Sequence, residues 1–140
     1  MAQDMADDIW GRFEAIEECY EFMLAYAAQG LTNDKGSDSG RRIREFLNRG
    51  VEALRGLAES CSATATQEDK FEAFLSVLDR DARDSLGAME LVLAQPTISS
   101  QLIDNLNASM HLRALLTDVF LVGEVLRSQR AASSTSATFS

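Results

Sequence analysis

The sequence predicts an all-α protein, an antiparallel four-helix bundle of the up-down-up-down type. Along four segments, apolar residues recur every three or four positions, as they do on one face of an α-helix. The only proline is Pro96, and no long stretch alternates apolar and polar residues as a half-buried strand does. Because an amphipathic helix is unstable until its apolar face is covered, and short connections join the segments, we expect neighbouring helices to pack antiparallel. A dimer of helical hairpins is the alternative.

The first two predicted helices flank a polar loop. The first covers residues 4–29, and Gly30 ends it. Its core-facing residues are Ile9, Phe13, Ile16, Tyr20, Met23 and Ala27. The loop "GLTNDKGSDSG" follows, and the second helix runs from about residue 39 to about residue 60. Its core-facing residues are Ile43, Leu47, Gly50, Leu54, Leu57 and Cys61.

The third and fourth predicted helices flank Pro96. Thr66 and Asp69 have the spacing of a capping box, which would begin the third helix. Its core-facing residues are Phe71, Leu75, Leu78, Ala82, Leu86, Met89 and Leu93. Pro96 ends it, because the residue before a proline disfavours helical geometry. Thr97 or Ser99 caps the fourth helix, which reaches about residue 129. Residues 1–130 are therefore predicted to form a single domain, and 131–140 a disordered tail.

The fourth helix changes its apolar face part-way along. Its first half places Leu102, Ile103, Leu106 and Met110 on one side, whereas the second half opens a rotated face that includes Leu115 and Leu126. One interpretation is a bend or break near 107–111, where asparagine and serine side chains compete for the backbone. The other is burial on two sides, against the bundle and a second copy of the chain. The second interpretation predicts a homodimer with contacts at Leu112, Leu116, Val119 and Gly123.

The composition argues against several classes of partner. A net charge of −9 disfavours nucleic acid, because phosphate neutralisation requires an excess of Lys and Arg. Two cysteines are too few for a disulfide framework. The acidic N-terminus lacks the apolar core of a signal peptide, and no segment approaches the length of a membrane span. We therefore expect a cytoplasmic protein that binds neither nucleic acid nor membrane.

The single histidine, His111, has two interpretations. In the first, it lies on a narrow polar edge with Asp104, Asn107 and Asp118 and hydrogen-bonds to Asn107. In the second, it accepts a phosphoryl group, as the histidine of a histidine phosphotransfer domain does; those domains are helical bundles of about this size with one exposed histidine. Their motif places a basic residue three and a glycine four positions after the histidine. Here the basic and small residues each come one position early, and Leu115 stands where the small residue is wanted.

Two surface features are candidates for partner contacts. Trp10 lies on an acidic ridge of the first helix, formed by Asp7, Glu14, Glu17 and Glu21, and is either half-buried or a contact anchor. Arg41, Arg42 and Arg44 begin the second helix, where the helix dipole disfavours cations. These arginines either pair with the acidic ridge or receive an anionic ligand or acidic partner.

Catalytic and cofactor motifs are missing from the sequence. One histidine cannot supply the pair that a di-iron bundle requires, and no nucleophile–base pair or phosphate loop is apparent. We expect no metal and no cofactor. The sequence therefore predicts a non-catalytic accessory, adaptor or regulatory protein that works through protein–protein contacts as a homodimer. Histidine phosphotransfer through His111 is the first alternative, and a bundle that binds a cofactor or small ligand between its helices is the second.

Overall fold

A computed structural model describes residues 2–64 and 69–139 of the chain. Within these ranges all regular secondary structure is α-helical: α1 Ala2–Ala28, α2 Asp38–Leu54, α3 Leu57–Thr64, α4 Asp69–Leu93, α5 Ser100–Ala108 and α6 Met110–Phe139. The all-α prediction is confirmed. The described residues form six helices where the sequence predicts four, because the second and fourth predicted helices are each divided in two. Thr66, of the predicted capping box, lies outside the described residues.

The second predicted helix is interrupted between α2 and α3. Gly56 has a φ of +69°, in the left-handed region that ends an α-helix and favours glycine. Leu54 and Leu57 on either side of the break are both buried. The apolar pattern therefore continues across the break, which explains why periodicity alone predicts one helix here.

Arg12 of α1 caps the end of α2. Its Nη1 donates to the carbonyl oxygens of Glu52 at 3.0 Å, Ala53 at 3.1 Å and Arg55 at 2.6 Å. The last carbonyls of a helix have no partner within the helix, and a cation there also complements the helix dipole. Arg12 thus stabilises the break at Gly56 and ties α1 to it.

The fourth predicted helix is broken at Ser109, as the first interpretation of its two faces predicts. Ser109 is extended, with φ −64° and ψ 144°. Its N–H donates to the carbonyl of Leu106 at 3.1 Å, and its Oγ accepts from the N–H of Leu112 at 3.3 Å. Ser109 therefore ends α5 and caps α6, so each helix turns its own apolar face inward. Met110, predicted to face the core, is 82% exposed as a result.

The core takes side chains from all six helices. In α2 and α3 every predicted core-facing residue is buried. In α1, Cys19 and Tyr26 are buried, whereas Tyr20 and Ala27, the residues predicted in those turns, are only partly buried. In α4, Ser85 and Val92 are buried in addition to predicted residues. The apolar face therefore drifts around the longer helices, as 3.6 residues per turn requires.

Two loops are held together by an ion pair whose carboxylate is buried and whose guanidinium is partly exposed. Asp34, in the α1–α2 loop, accepts from Nε of Arg44 in α2 at 2.6 Å and from the backbone N–H of Ile98 at 2.7 Å. The Arg44 guanidinium also donates to the carbonyl of Leu93, the last residue of α4, at 3.2 Å and to that of Gln95, just beyond it, at 3.0 Å. Burial alone would raise the pKa of Asp34, but the hydrogen bonds from Arg44 and Ile98 outweigh it, so the pKa lies below its ordinary value.

The same two loops are joined by a second set of hydrogen bonds. The Tyr26 hydroxyl donates to the carbonyl of Ile98 at 2.6 Å, and the Ser100 hydroxyl donates to the carbonyl of Tyr26 at 2.6 Å. Ser100 Oγ also accepts from the N–H of Leu31 at 2.8 Å. Buried backbone groups of both loops are thereby satisfied, which fixes the end of α1 against the start of α5.

The backbone of α6 is helical through Phe139, past residue 131, where the sequence predicts that a disordered tail begins. The division into a 1–130 domain and a tail disordered in solution stays a prediction.

Candidate contact surface and buried polar groups of α6

The outer face of α6 carries large apolar side chains in contact with water. Phe120 is 59% exposed, Leu121 51% and Val125 37%. Because residues four apart lie on one side of a helix, Leu121 and Val125 lie side by side, whereas Phe120 lies about 100° around the helix from Leu121. Exposed large apolar residues on α1 and α4, such as Leu24 and Leu91, lie singly along their helices. We call Phe120, Leu121 and Val125 the α6 patch.

The four residues predicted as homodimer contacts lie on the side of α6 opposite Leu121 and Val125. Leu112 is 3% exposed, Leu116 7% and Val119 1%, and Gly123 is buried as well. The break at Ser109 turns this face toward the protein's own core. A Cβ placed on Gly123 would lie 3.9 Å from the rings of Phe13 and Trp10, so the helix packed nearest this glycine is α1 of the same chain. A role for these four residues in a partner contact stays a prediction.

Trp10 is half-buried between α1 and α6. Its ring meets that of Phe13 edge-on, with the centroids 6.1 Å apart. The guanidinium of Arg127 lies 5.4 Å from the Trp10 ring centroid, a cation–π distance. Part of the ring is therefore engaged within its own chain, and its use as a partner contact stays a prediction.

The three predicted arginines have different surroundings. Arg44 belongs to the ion pair with Asp34, and Arg41 pairs with Asp38 one turn earlier in α2. The Arg42 guanidinium lies over the rings of Phe22 and Phe46, which stack with centroids 4.6 Å apart. None of the three pairs with Glu14, Glu17 or Glu21, so the predicted pairing with this part of the acidic ridge is wrong; the side chain of Asp7 lies outside those that the structure describes. The loop after α1 brings Asp34 to Arg44 instead.

His111 is the second residue of α6, and its side chain is 56% exposed. Its Nδ1 lies 4.0 Å from a carboxylate oxygen of Asp84 in α4, and its backbone carbonyl accepts from the Ser85 hydroxyl at 2.9 Å. The predicted hydrogen bond to Asn107 is wrong, because neither side-chain polar atom of Asn107 has a hydrogen-bond partner. The break at Ser109 changes the helical register between the two residues.

Asp118 is buried in the seam between α4 and α6. It is 5% exposed, and its Oδ2 has no hydrogen-bond partner. Burial, and then the neighbouring Asp81 of α4, raise the pKa of Asp118 to about 7. The sequence places Asp118 on the exposed polar edge with His111, and the structure corrects this.

The described residues form a small enclosed cavity and, elsewhere, an open groove. The space enclosed between α1, α2, α4 and α6, lined by Cys19, Gly50 and Met89 among others, measures about 10 Å³, room for one water molecule at most. An open groove of about 790 Å³ lies between α3 and α4, with an apolar floor that includes Leu75 and Ala82 and charges of both signs on its rim. No group of three or more potential metal-ligating side chains converges within the described ranges.

Comparison with protein-family models, with curated proteins and with solved structures finds no significant match to this chain. Across residues 2–64 and 69–139, no helix combines the length and the apolarity needed to cross a bilayer.

Proposed function

We propose that this protein is a non-catalytic accessory or adaptor that works through protein–protein contacts, as a homodimer formed through α6. The observation that carries the proposal is the α6 patch, three large apolar side chains that the chain's own core leaves in water. Adjacent exposed apolar residues of this kind typically mark a protein contact. Because an isologous interface presents the same surface twice, a patch on one helix suffices to form a twofold contact.

The remaining predictions are compatible with this proposal. The up-down-up-down arrangement is supported by the packing of α1 on α2, α2 on α4 and α4 on α6. The cytoplasmic location, a further protein partner and the absence of catalysis, cofactor and nucleic-acid binding are proposed on composition alone. Arg42 and Trp10 are proposed as contacts for a second partner once the dimer has formed.

A charge within the α6 patch is expected to dissociate the dimer. Leu121→Lys would place an ammonium group in an apolar contact, where an unpaired charge is costly to desolvate. We expect the variant to remain folded, because Leu121 is half exposed, and to elute as a monomer in size-exclusion chromatography with light scattering. Leu24→Lys, at a leucine of similar exposure on α1, is the matched control and should leave the dimer intact. Equal masses for both variants and the wild type would contradict the assignment.

Histidine phosphotransfer through His111 is the second candidate function. It is favoured by one observation, the exposure of the imidazole at the start of α6 beside Asp84. Incubation with acetyl phosphate followed by ³¹P NMR tests it. A phosphohistidine signal that is lost in His111→Gln would support phosphotransfer, and its absence would leave the contact function as the sole proposal.

A further inference from the structure

Asp118 is an acidic residue in an otherwise apolar stretch of α6. Leu115, Leu116, Val119 and Val122 around it are all buried, and Asp118 itself is 5% exposed. An ionised carboxylate at such a position is costly unless a cation or several hydrogen-bond donors compensate for its lost hydration. Its Oδ2 has no hydrogen-bond partner, so this compensation is incomplete.

Among the described side chains, those that act on Asp118 supply no positive charge. From α4, the group that acts on it is the carboxyl of Asp81, and Asp84, about one turn further, lies beside His111 instead. This order indicates that α4 and α6 run antiparallel along the seam. From α1, the neighbours of α6 are the rings of Trp10 and Phe13 at Gly123. Among the described side chains of α1, α4 and α5, Asp81 is the one charged group that acts on Asp118.

Two ionised carboxylates cannot hydrogen-bond to each other, because all four of their oxygens are acceptors. If one proton is taken up from water, the Asp118 carboxyl becomes a donor to the Asp81 carboxylate, and the charge of the pair falls from −2 to −1. We propose that the Asp81–Asp118 pair holds one shared proton and that this proton fastens α6 to α4, so that the seam between the two helices loosens as the pH rises through neutrality.

Burial, seen in the low exposure of Asp118 and its unpartnered Oδ2, and then Asp81 raise the pKa of Asp118 to about 7. A folded-state pKa above the ordinary carboxyl value means that the folded state binds the proton more tightly than the unfolded chain does. The associated stability is fully present below the ordinary value of 3.8 and is lost as the pH rises to about 7. The proposal does not depend on the homodimer, since both carboxyls belong to one chain.

A pH titration of the wild type followed by ¹³C NMR of the aspartate side-chain carboxyl carbons tests the proposal directly. We expect one resonance of the Asp81–Asp118 pair to titrate near neutral pH. In Asp81→Asn, the Asp118 resonance should titrate at lower pH, because the amide can donate to the ionised carboxylate. If both carboxyls of the pair titrate in the ordinary acidic range in the wild type, the shared proton is excluded.

Stability measurements provide a second readout. Asp118→Asn keeps the size of the side chain and removes the titrating group, so its folding equilibrium constant relative to the wild type should rise at least about tenfold between about pH 5 and pH 8. Asp104→Asn, at an exposed position on α5, is the control and should show no such trend. A ratio for Asp118→Asn that stays constant with pH would overturn the proposal. So would a wild type that Mg²⁺ or Ca²⁺ stabilises at pH 8 when Asp118→Asn does not respond, since the pair would then hold a metal ion.

Discussion

Gly40→Ala should destabilise the protein by about 3 kcal/mol or more, because the close approach of the α1–α2 loop to α2 leaves no room for a side chain. A Cβ on Gly40 would lie 2.6 Å from the Cα of Asp34 and closer still to the carbonyl group of that residue. Backbone atoms cannot rotate away as the end of a flexible side chain can. The loop would have to move, and with it the ion pair between Asp34 and Arg44. Urea unfolding followed by circular dichroism measures the loss.

A second glycine supplies the control for this prediction. A Cβ on Gly87, inside α4, would meet no atom within 4 Å. Gly87→Ala should therefore raise the free energy of unfolding by about 0.5–1 kcal/mol, through helix propensity alone. Should the two substitutions shift the unfolding midpoint in the same direction, the described packing of the loop on α2 would be incorrect.

Asp34→Ala is the second substitution for which we expect a large effect, about 2–3 kcal/mol of lost stability. It would leave the N–H of Ile98 without its acceptor in a buried position, and it would leave the Arg44 guanidinium without its counter-ion. Arg44 retains hydrogen bonds to the carbonyls of Leu93 and Gln95, and its side chain is 31% exposed. For that reason we place the loss below the full cost of breaking a buried ion pair. The measurement is again unfolding by urea.

The pH dependence distinguishes loss of the ion pair from a general packing defect. The pKa of Asp34 lies below its ordinary value. Its contribution to the free energy of unfolding is therefore fully present at a pH above the ordinary carboxyl pKa, and it is lost as the pH falls through the lowered pKa. The difference in the free energy of unfolding between the wild type and Asp34→Ala should therefore become smaller in strong acid. Asp79→Ala removes an exposed ion pair with Arg83 in α4 and should cost less than about 1 kcal/mol. A difference for Asp34→Ala that does not change with pH would contradict the electrostatic account.

The elements that could be predicted from sequence are those set by local chemistry. The break at Ser109 is predicted from two signals. The side chains of Asn107 and Ser109 compete for backbone hydrogen bonds, and the apolar face of the helix rotates at this point. The break at Gly56 has no such rotation, since Leu54 and Leu57 are both buried. A lone glycine inside a continuous apolar pattern does not show whether the helix continues through it or ends there with the glycine in the left-handed conformation.

The polar contacts depend on how the helices and loops pack together, which the spacing of apolar residues along the sequence does not reveal. Arg44 pairs with Asp34 because the loop after α1 folds back onto α2, and several chain paths would be compatible with the same loop sequence. For Asp118, a signal does exist, since an aspartate lies within the apolar run "LLTDVFLVG". Its partner Asp81 could not be assigned, because that requires the register between two helices distant in sequence. The break at Ser109 also altered which residues share a side with His111.

Sedimentation equilibrium of the wild type from low to high micromolar concentration tests most directly the claim that this bundle acts through a self-contact on α6. The account predicts a mass of twice the 15.4 kDa of one chain at the upper end of this range, with dissociation on dilution. A mass of 15.4 kDa at every concentration would contradict it.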